Sequence, residues 1–289
     1  GFTECVGISA ILKALQKGYE TRPICLRLIG KISIDGMNES GDTNNLLIKA
    51  SSADKPIQNI TIEGVGEDAV CYGFGIRCNR ARSIEVRNLA IMLFGDDGIA
   101  LETANSNIWI HNNDIFYGTA GSDADQAKGD GSMDLKNDSK YITISYNHFW
   151  DSGKMSLCGM KSETGENWIS YHHNWFDHSD SRHPRIRTMS VHIYNNYYDG
   201  VSKYGVGVTY GACAFVENNY FRNCKYPMLI SMQGSDSGTF SGENGGIIFV
   251  TIVRPGGDHG AHRTAAEAID ADGVIIYGNG GAIGIFFIQ

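Results

Sequence analysis

Proline is scarce in this chain, at 5 of 289 residues, while glycine is abundant at 36. That balance suits many tight turns between short extended segments. No apolar run reaches the roughly 18 residues that a membrane-spanning helix needs. The most apolar stretch, 273–289 (GVIIYGNGGAIGIFFIQ), is broken by five glycines and reads as strand and turn. No Cys-x-x-Cys pair occurs, which argues against a zinc ribbon. An excess of positive charge is also missing. The formal net charge is -8, which argues against general nucleic-acid binding. Hydrophobic residues make up 42% and charged residues 19%, so the chain is globular and not disordered. Its length fits one large domain with a full core, or two small ones. The sequence opens on GFTECVG, without methionine or a recognisable signal peptide, and is expected to be a processed or truncated product.

The seven cysteines leave the redox compartment open. Cys71 and Cys78 flank YGFGIR, where a disulfide could close a small loop. The odd count leaves at least one thiol over. Free cysteines buried as small apolar residues are the alternative.

What is present is a repeat: apolar, any, apolar, any, any, Asn, any, apolar. It fits IWIHNNDI around Asn113, ITISYNHF around Asn147, ISYHHNWF around Asn174, VHIYNNYY around Asn196 and AFVENNYF around Asn219. Upstream, Val65 and Leu89 hold the Asn position. The markers at 65, 89, 113, 147, 174, 196 and 219 are separated by 24, 24, 34, 27, 22 and 23 residues. A period in the low twenties with one alternating strand per unit means a solenoid. Leucine-rich repeats share the period but need recurring leucines and a helix. The β-branched residues and period-2 alternation predict a parallel β-helix, all-β in class. Each asparagine is expected to take the left-handed turn and to stack its amide on the next coil. Near the start, ISAILKALQKGYE predicts one helix, about residues 5–20, with Ile8, Ile11, Leu12 and Leu15 on one face and Gly18 at its end. It is expected to cap the first coil.

The 34-residue interval holds an insertion, GTAGSDADQAKGDGSMDLKN, carrying Asp123, Asp125, Asp130 and Asp134. Insertions in solenoids collect on one face. Flexible oxygen-rich clusters suit Ca²⁺, which takes six to eight oxygen ligands, although the spacing is not that of an EF-hand. Counted from the markers, Asp97 is eight after Leu89, Lys154 seven after Asn147 and Arg182 eight after Asn174. Similar offsets predict one longitudinal stripe, with Arg182, Arg185 and Arg187 of DSRHPRIR beside the acidic insertion. Carboxylates next to a basic strip suit a polyanion bridged by a divalent cation.

With these residues in view, the chain resembles the pectate lyases of polysaccharide lyase family 1. The likeness lies in GDDGIALETANSNIWIHNNDIF, GDGSMDLKNDSKYITISYNHFWDSGKMSLCG, YHHNWFDHSDSRHPRIR and VHIYNNYYDG, and runs from about residue 50 to about residue 245. It implies a right-handed parallel β-helix and calcium-dependent β-elimination on polygalacturonate. It implies Asp130 and Asp134 as the calcium pair, with Asp97 as a third ligand and Asp96 assisting. It implies that Lys154 and Arg187 bind substrate carboxylate and that Arg182 removes the C5 proton. Arg185 is left as a substrate contact or groove charge. Free guanidinium has a pKa of about 12.5 or above. Neighbouring positive charge must lower it, so an alkaline optimum is expected. The likeness further implies secretion, action as a monomer, and no nucleic-acid or membrane partner.

The family's WIDH is WIHN here, Trp109 to Asn112, at positions that look structural. His172 and His173 fall at a strand–turn junction and read as packing residues, while His178 and His183 lie nearer the basic cluster and stay open. Beyond about residue 250 the chain matches nothing in the family, and a last coil with a C-terminal cover to 289 is expected. The alternatives are a pectin lyase acting on methyl-esterified chains without calcium, a non-catalytic carbohydrate-binding β-helix, and a β-helix hydrolase with saturated products.

Overall fold

The computed structural model describes residues 4–34, 44–118, 130–160, 163–230, 247–253, 276–278 and 282–288. Alternation sets each strand. In Ser106–His111, Ile108 and Ile110 point inward and are buried, while Asn107 and Trp109 face out. Every coil repeats this, so equivalent residues stack. The register carries Ile60, Ile84, Ile108, Ile142, Ile169, Val191, Ala214 and Ile248 in one buried row.

All strands pair in parallel and form three ribbons. The first ribbon includes Lys140–Ser145, Ile169–His172 and Ser190–Tyr194. The second, joined to the first through the long strand Ile57–Tyr72, includes His148–Trp150, Trp175–Asp177 and Tyr197–Asp199. The third runs through Gly75–Asn79, Ile99–Thr103, Met133–Leu135, Leu157–Cys158, Arg185–Arg187 and Val206–Thr209. The chain is thus a parallel β-helix. Inside the second ribbon Phe149, Phe176, Tyr198 and Phe221 stack at 5.4, 4.7 and 4.3 Å. Past residue 250, Ala282–Ile288 pairs with Ile247–Val253 and Ile276–Gly278 with Met228–Ile230.

The asparagine ladder forms, with one correction. The left-handed residue is the one before each ladder asparagine: Asn112, Tyr146, His173, Asn195 and Asn218, at φ 53–57°. That bend turns the next side chain into the core, where its amide must find partners. Asn113 Nδ2 donates to Asn147 Oδ1 at 3.0 Å, Asn147 to Asn174 at 3.1 Å, Asn174 to Asn196 at 3.0 Å and Asn196 to Asn219 at 2.9 Å. Each Oδ1 also takes the backbone N–H of the preceding ladder residue. Asn174→Leu would strip the Asn147 backbone N–H and Nδ2 of their shared acceptor and remove one donor from the Ile144 carbonyl. At about 1–3 kcal/mol per orphaned buried group, we expect a loss of about 4 kcal/mol in chemical unfolding. A loss under about 1 kcal/mol would show that the ladder is not cooperative.

Val65 does not hold the ladder position. Ile60 pairs with Ile84, an offset of 24, while Val70 pairs with Ala90, an offset of 20, so this coil carries four extra residues. Ala69, at 3% exposure, sits where Leu89 sits in the next coil, and Val65 is 39% exposed. The helix spans Ile8–Gln16 and buries Leu12 and Leu15, with Ile8 and Ile11 against the core, so it caps the first coils as expected. Gly18 closes it at φ 71°, donating to the Leu15 carbonyl. No disulfide joins Cys71 and Cys78. Both are free, fully buried small apolar residues whose thiols burial pushes up to about 12.

Candidate active site

The outward face of the third ribbon collects the charges. Register sets Arg77, Ala100, Asp134, Leu157, Arg185 and Gly207 in one row across successive coils. Two residues further along each strand, on the same face, come Glu102, Lys136 and Arg187. The segments that lead into these strands also stack: Gly131 bridges to Lys154 and Lys154 to Ser181. The expected stripe therefore exists, with a shift. Asp97 and Asp130 lie just before this line, Lys154 lies on it, and Arg182 follows it.

The carboxylates divide into two sets. Oxygens of Asp96, Asp97 and Asp130 all lie within 4.8 Å of one another. Asp134 stands outside that trio. Its Oδ1 accepts the Leu157 N–H at 2.8 Å and its Oδ2 faces Lys136 Nζ at 3.2 Å. The resemblance had grouped Asp130 with Asp134, whereas the geometry groups Asp130 with Asp96 and Asp97. Asp123 and Asp125 of the insertion lie outside the described residues.

Three partners were missed from the sequence: Lys136, Arg77 and Glu102. Lys136 binds Asp97 at 3.0 Å, Asp134 at 3.2 Å and Glu102 at 3.5 Å. Arg77 contacts Asp96 and faces Glu102 at 4.0 Å. Lys154, 4% exposed, contacts Asp130. Asp97 is 1% exposed and also accepts the Gly131 N–H at 2.8 Å. Burial pushes its carboxyl up to about 7, and the Asp134 charge adds to the rise, while Lys136 and the Gly131 N–H pull back. Burial works against the Lys136 ammonium, but Asp134, Asp97 and Glu102 outweigh it and raise its pKa. One signal for Lys136 was available: in DLK it lies two residues after Asp134, on the same side of a strand.

Asp96, Asp97 and Asp130 offer only carboxylate oxygen, with no thiolate or imidazole among them, which fits a hard cation such as Ca²⁺ and not a soft one. A buried carboxyl whose pKa rises beside a second carboxylate is relieved by such an ion.

On the other side stand the arginines. Arg182 has a left-handed backbone, φ 67°, and its carbonyl accepts the Ser156 N–H at 2.7 Å. Arg185 is buried and Arg187 half-buried. His183, left open above, belongs to the support. It is fully buried, and its Nδ1–H donates to the Tyr204 carbonyl at 2.8 Å, so Nε2 accepts from Ser179 Oγ at 2.6 Å. Burial pushes its pKa down to about 4, so it stays neutral. His178 is exposed and contacts Asp177. His172 and His173 pack at the bend, their Nδ1 atoms 2.9 Å apart and His173 stacked on Tyr146 at 4.7 Å. In WIHN, Trp109 Nε1 donates to Ser145 Oγ at 2.8 Å and its ring stacks on His111 at 3.7 Å, contacts that fit a structural role.

Comparisons with known proteins converge on one family. A pectate trisaccharide-lyase of Bacillus licheniformis is 36% identical over 213 residues, 72% of this chain and 60% of that protein. Pectate lyase 3 of Pectobacterium carotovorum is 34% identical over 202 residues, 66% of this chain and 52% of the relative. The chain thus spans about 60% or less of the length of these curated relatives. Among solved structures, a pectate lyase of Bacillus sp. N165 in complex with trigalacturonate superposes with a TM-score of 0.66 at 25% identity, over 97% of this chain and 79% of that one. Pectate lyase C of Erwinia chrysanthemi, solved at pH 9.5 with 30 mM Ca²⁺, superposes with a TM-score of 0.63 at 25% identity, over 75% of this chain and 66% of that one. The family model described as pectate lyase matches residues 10–254, most of the sequence, and the chain therefore belongs to the pectate lyase family.

Proposed function

We propose that the chain cleaves α-1,4-linked polygalacturonate by calcium-dependent β-elimination. The observation that carries this reading is the carboxylate trio set one coil-step from Lys154 and two from Arg182. A neutral, methyl-esterified polymer would have no use for that trio, and a hydrolase or a simple binding protein would have no use for an arginine beside it.

The roles follow from position. Asp96, Asp97 and Asp130 would hold Ca²⁺, with Asp134 keeping Lys136 and the Leu157 backbone in place. Bound calcium would neutralise uronate charge and so acidify C5. Lys154, Arg185 and Arg187 meet uronate carboxylates and stabilise the enolate-like charge that forms. Arg182 takes the C5 proton, a C4–C5 double bond forms, the C4–O bond breaks, and the leaving oxygen takes a proton from solvent. A free guanidinium gives up its proton only at high pH, so activity would rise toward alkaline pH. A cell-wall polymer as substrate puts the chain outside the cell, as a secreted monomer. Among the described residues no helix is long and apolar enough to cross a membrane.

The test is ultraviolet absorbance of the unsaturated uronate on polygalacturonate at alkaline pH. With calcium we expect a steady rise that a chelator stops and added calcium restores. A chelator-resistant rise would move the assignment toward pectin lyase. No rise under any condition would sink the lyase reading.

A further inference from the structure

His148 has no part in the scheme above. It opens His148–Trp150, a second-ribbon strand that lies between Asp114–Phe116 and Trp175–Asp177. Register puts Asp114, His148 and Trp175 in one outward row, and Asp177 comes two residues after Trp175 on the same face. The imidazole is held from both sides. Its Nδ1 lies 3.2 Å from Asp114 Oδ1 in the preceding coil, and its Nε2 lies 3.2 Å from Asp177 Oδ2 in the following one. Trp175 stacks on the ring at 4.3 Å. Trp150 Nε1 donates to Asp114 Oδ1 at 2.7 Å and so fixes that carboxylate. The cluster sits on the second ribbon, whereas the charges of the candidate site sit on the third.

We propose that His148 is an imidazolium staple: its two N–H groups tie Asp114 and Asp177 across three successive coils, and rising pH opens it. A neutral imidazole has one N–H and one bare nitrogen. In that form one nitrogen would face a carboxylate oxygen at 3.2 Å, lone pair to lone pair. Only the cation donates on both sides. Burial works against the charged ring, but the bonds to Asp114 and Asp177, with their charges, outweigh it and raise its pKa. The Trp175 face favours the cation too. A raised folded pKa gives stability that is fully present below the unfolded value of about 6.5 and is lost as pH rises through the folded value. The staple is therefore closed in acid and open in alkali. The groups that face the ring are Asp114 from the preceding strand, Asp177 and Trp175 from the following one and Trp150 from its own, and exposed His178 contacts Asp177. Asp177 lies five residues before Arg182, so the staple holds the strand that feeds the arginine segment. The alkaline activity proposed above would then fall where the staple is open, and that consequence alone rests on the lyase reading.

Histidine ring-proton NMR across pH, with His148→Gln to assign the signal, measures the midpoint directly. It should lie above about 6.5, and Asp114→Asn and Asp177→Asn should each bring it down. Asparagine at 114 keeps an oxygen for the Trp150 N–H, so packing is spared. Melting gives a second readout, because Gln at 148 carries no charge. At pH 5.5, His148→Gln should melt about 2–4 °C below wild type, and at pH 9.5 the gap should close. Asp97 also titrates near neutrality, but it is common to both proteins and cancels in the difference. If His148→Gln does not fold, the signal that moves in both asparagine variants identifies His148, and those variants decide in the same way. A midpoint at or below about 6.5, a midpoint that neither asparagine variant moves, or a melting gap equal at the two pH values overturns the proposal. A wild-type protein that forms no unsaturated product overturns the lyase reading instead and leaves the staple standing.

Discussion

Arg182→Ala is expected to lower kcat on polygalacturonate by about 10²- to 10⁴-fold, the usual range for removal of a general base. KM should change little, since in the proposed scheme Lys154, Arg185 and Arg187 would still meet the uronates. Stability should be nearly unchanged for a specific reason. Arg182 already holds a left-handed backbone, φ 67°, with the steric cost of a Cβ. Alanine keeps that Cβ and adds no strain. The Ser156 N–H bonds the Arg182 carbonyl, which the substitution leaves in place. A fall in kcat without a change in melting temperature would therefore report chemistry. Arg182→Lys tests the geometry separately, since it keeps one charge but loses the planar fork, and it should recover only a small part of the lost rate. Wild-type turnover in Arg182→Ala would move the base to another residue.

The coil repeat was legible because stacking converts a one-dimensional period into contact. Ile108, Ile142 and Ile169 recur in the sequence as they recur in the core, and Asn113 to Asn219 recur as they hydrogen-bond. Val65 misled because an apolar residue fell at the expected spacing inside a strand with four extra residues. Spacing reports register only while coils are equal in length. The same limit runs through the site. Asp97, Lys154 and Arg182 were set on one stripe because they come at like points of successive coils, whereas Asp130 came from the acidic insertion and the resemblance. The choice between Asp134 and Asp96 was not legible, because it depends on where Lys136 and the Leu157 N–H lie, and those are lateral contacts.

Lys136→Met should destabilise the protein by about 3–5 kcal/mol, the cost of leaving buried charge without its partner. Methionine matches the length of the lysine stem, so packing changes little. What is lost is the one ammonium shared by Asp97 and Asp134, which are 1% and 3% exposed. The penalty has a pH signature. Asp97 has its folded pKa raised, to about 7, by burial and by Asp134. A raised carboxyl binds its proton more tightly folded than unfolded, so its contribution is favourable at low pH and is lost as pH rises through the folded pKa. Without Lys136 the rise is larger. The deficit of the variant against wild type should then be wide at pH 8 and shrink as pH falls to about 7, below which Asp97 holds its proton in both proteins. Calcium gives a second signature. A cation on Asp96, Asp97 and Asp130 replaces part of the missing charge, so it should raise the melting temperature of the variant more than that of the wild type. Chemical unfolding at pH 8 and pH 5, with and without calcium, measures both. A deficit that is small at pH 8, or that neither pH nor calcium changes, would show that Lys136 is a surface ion pair and not the centre of the site.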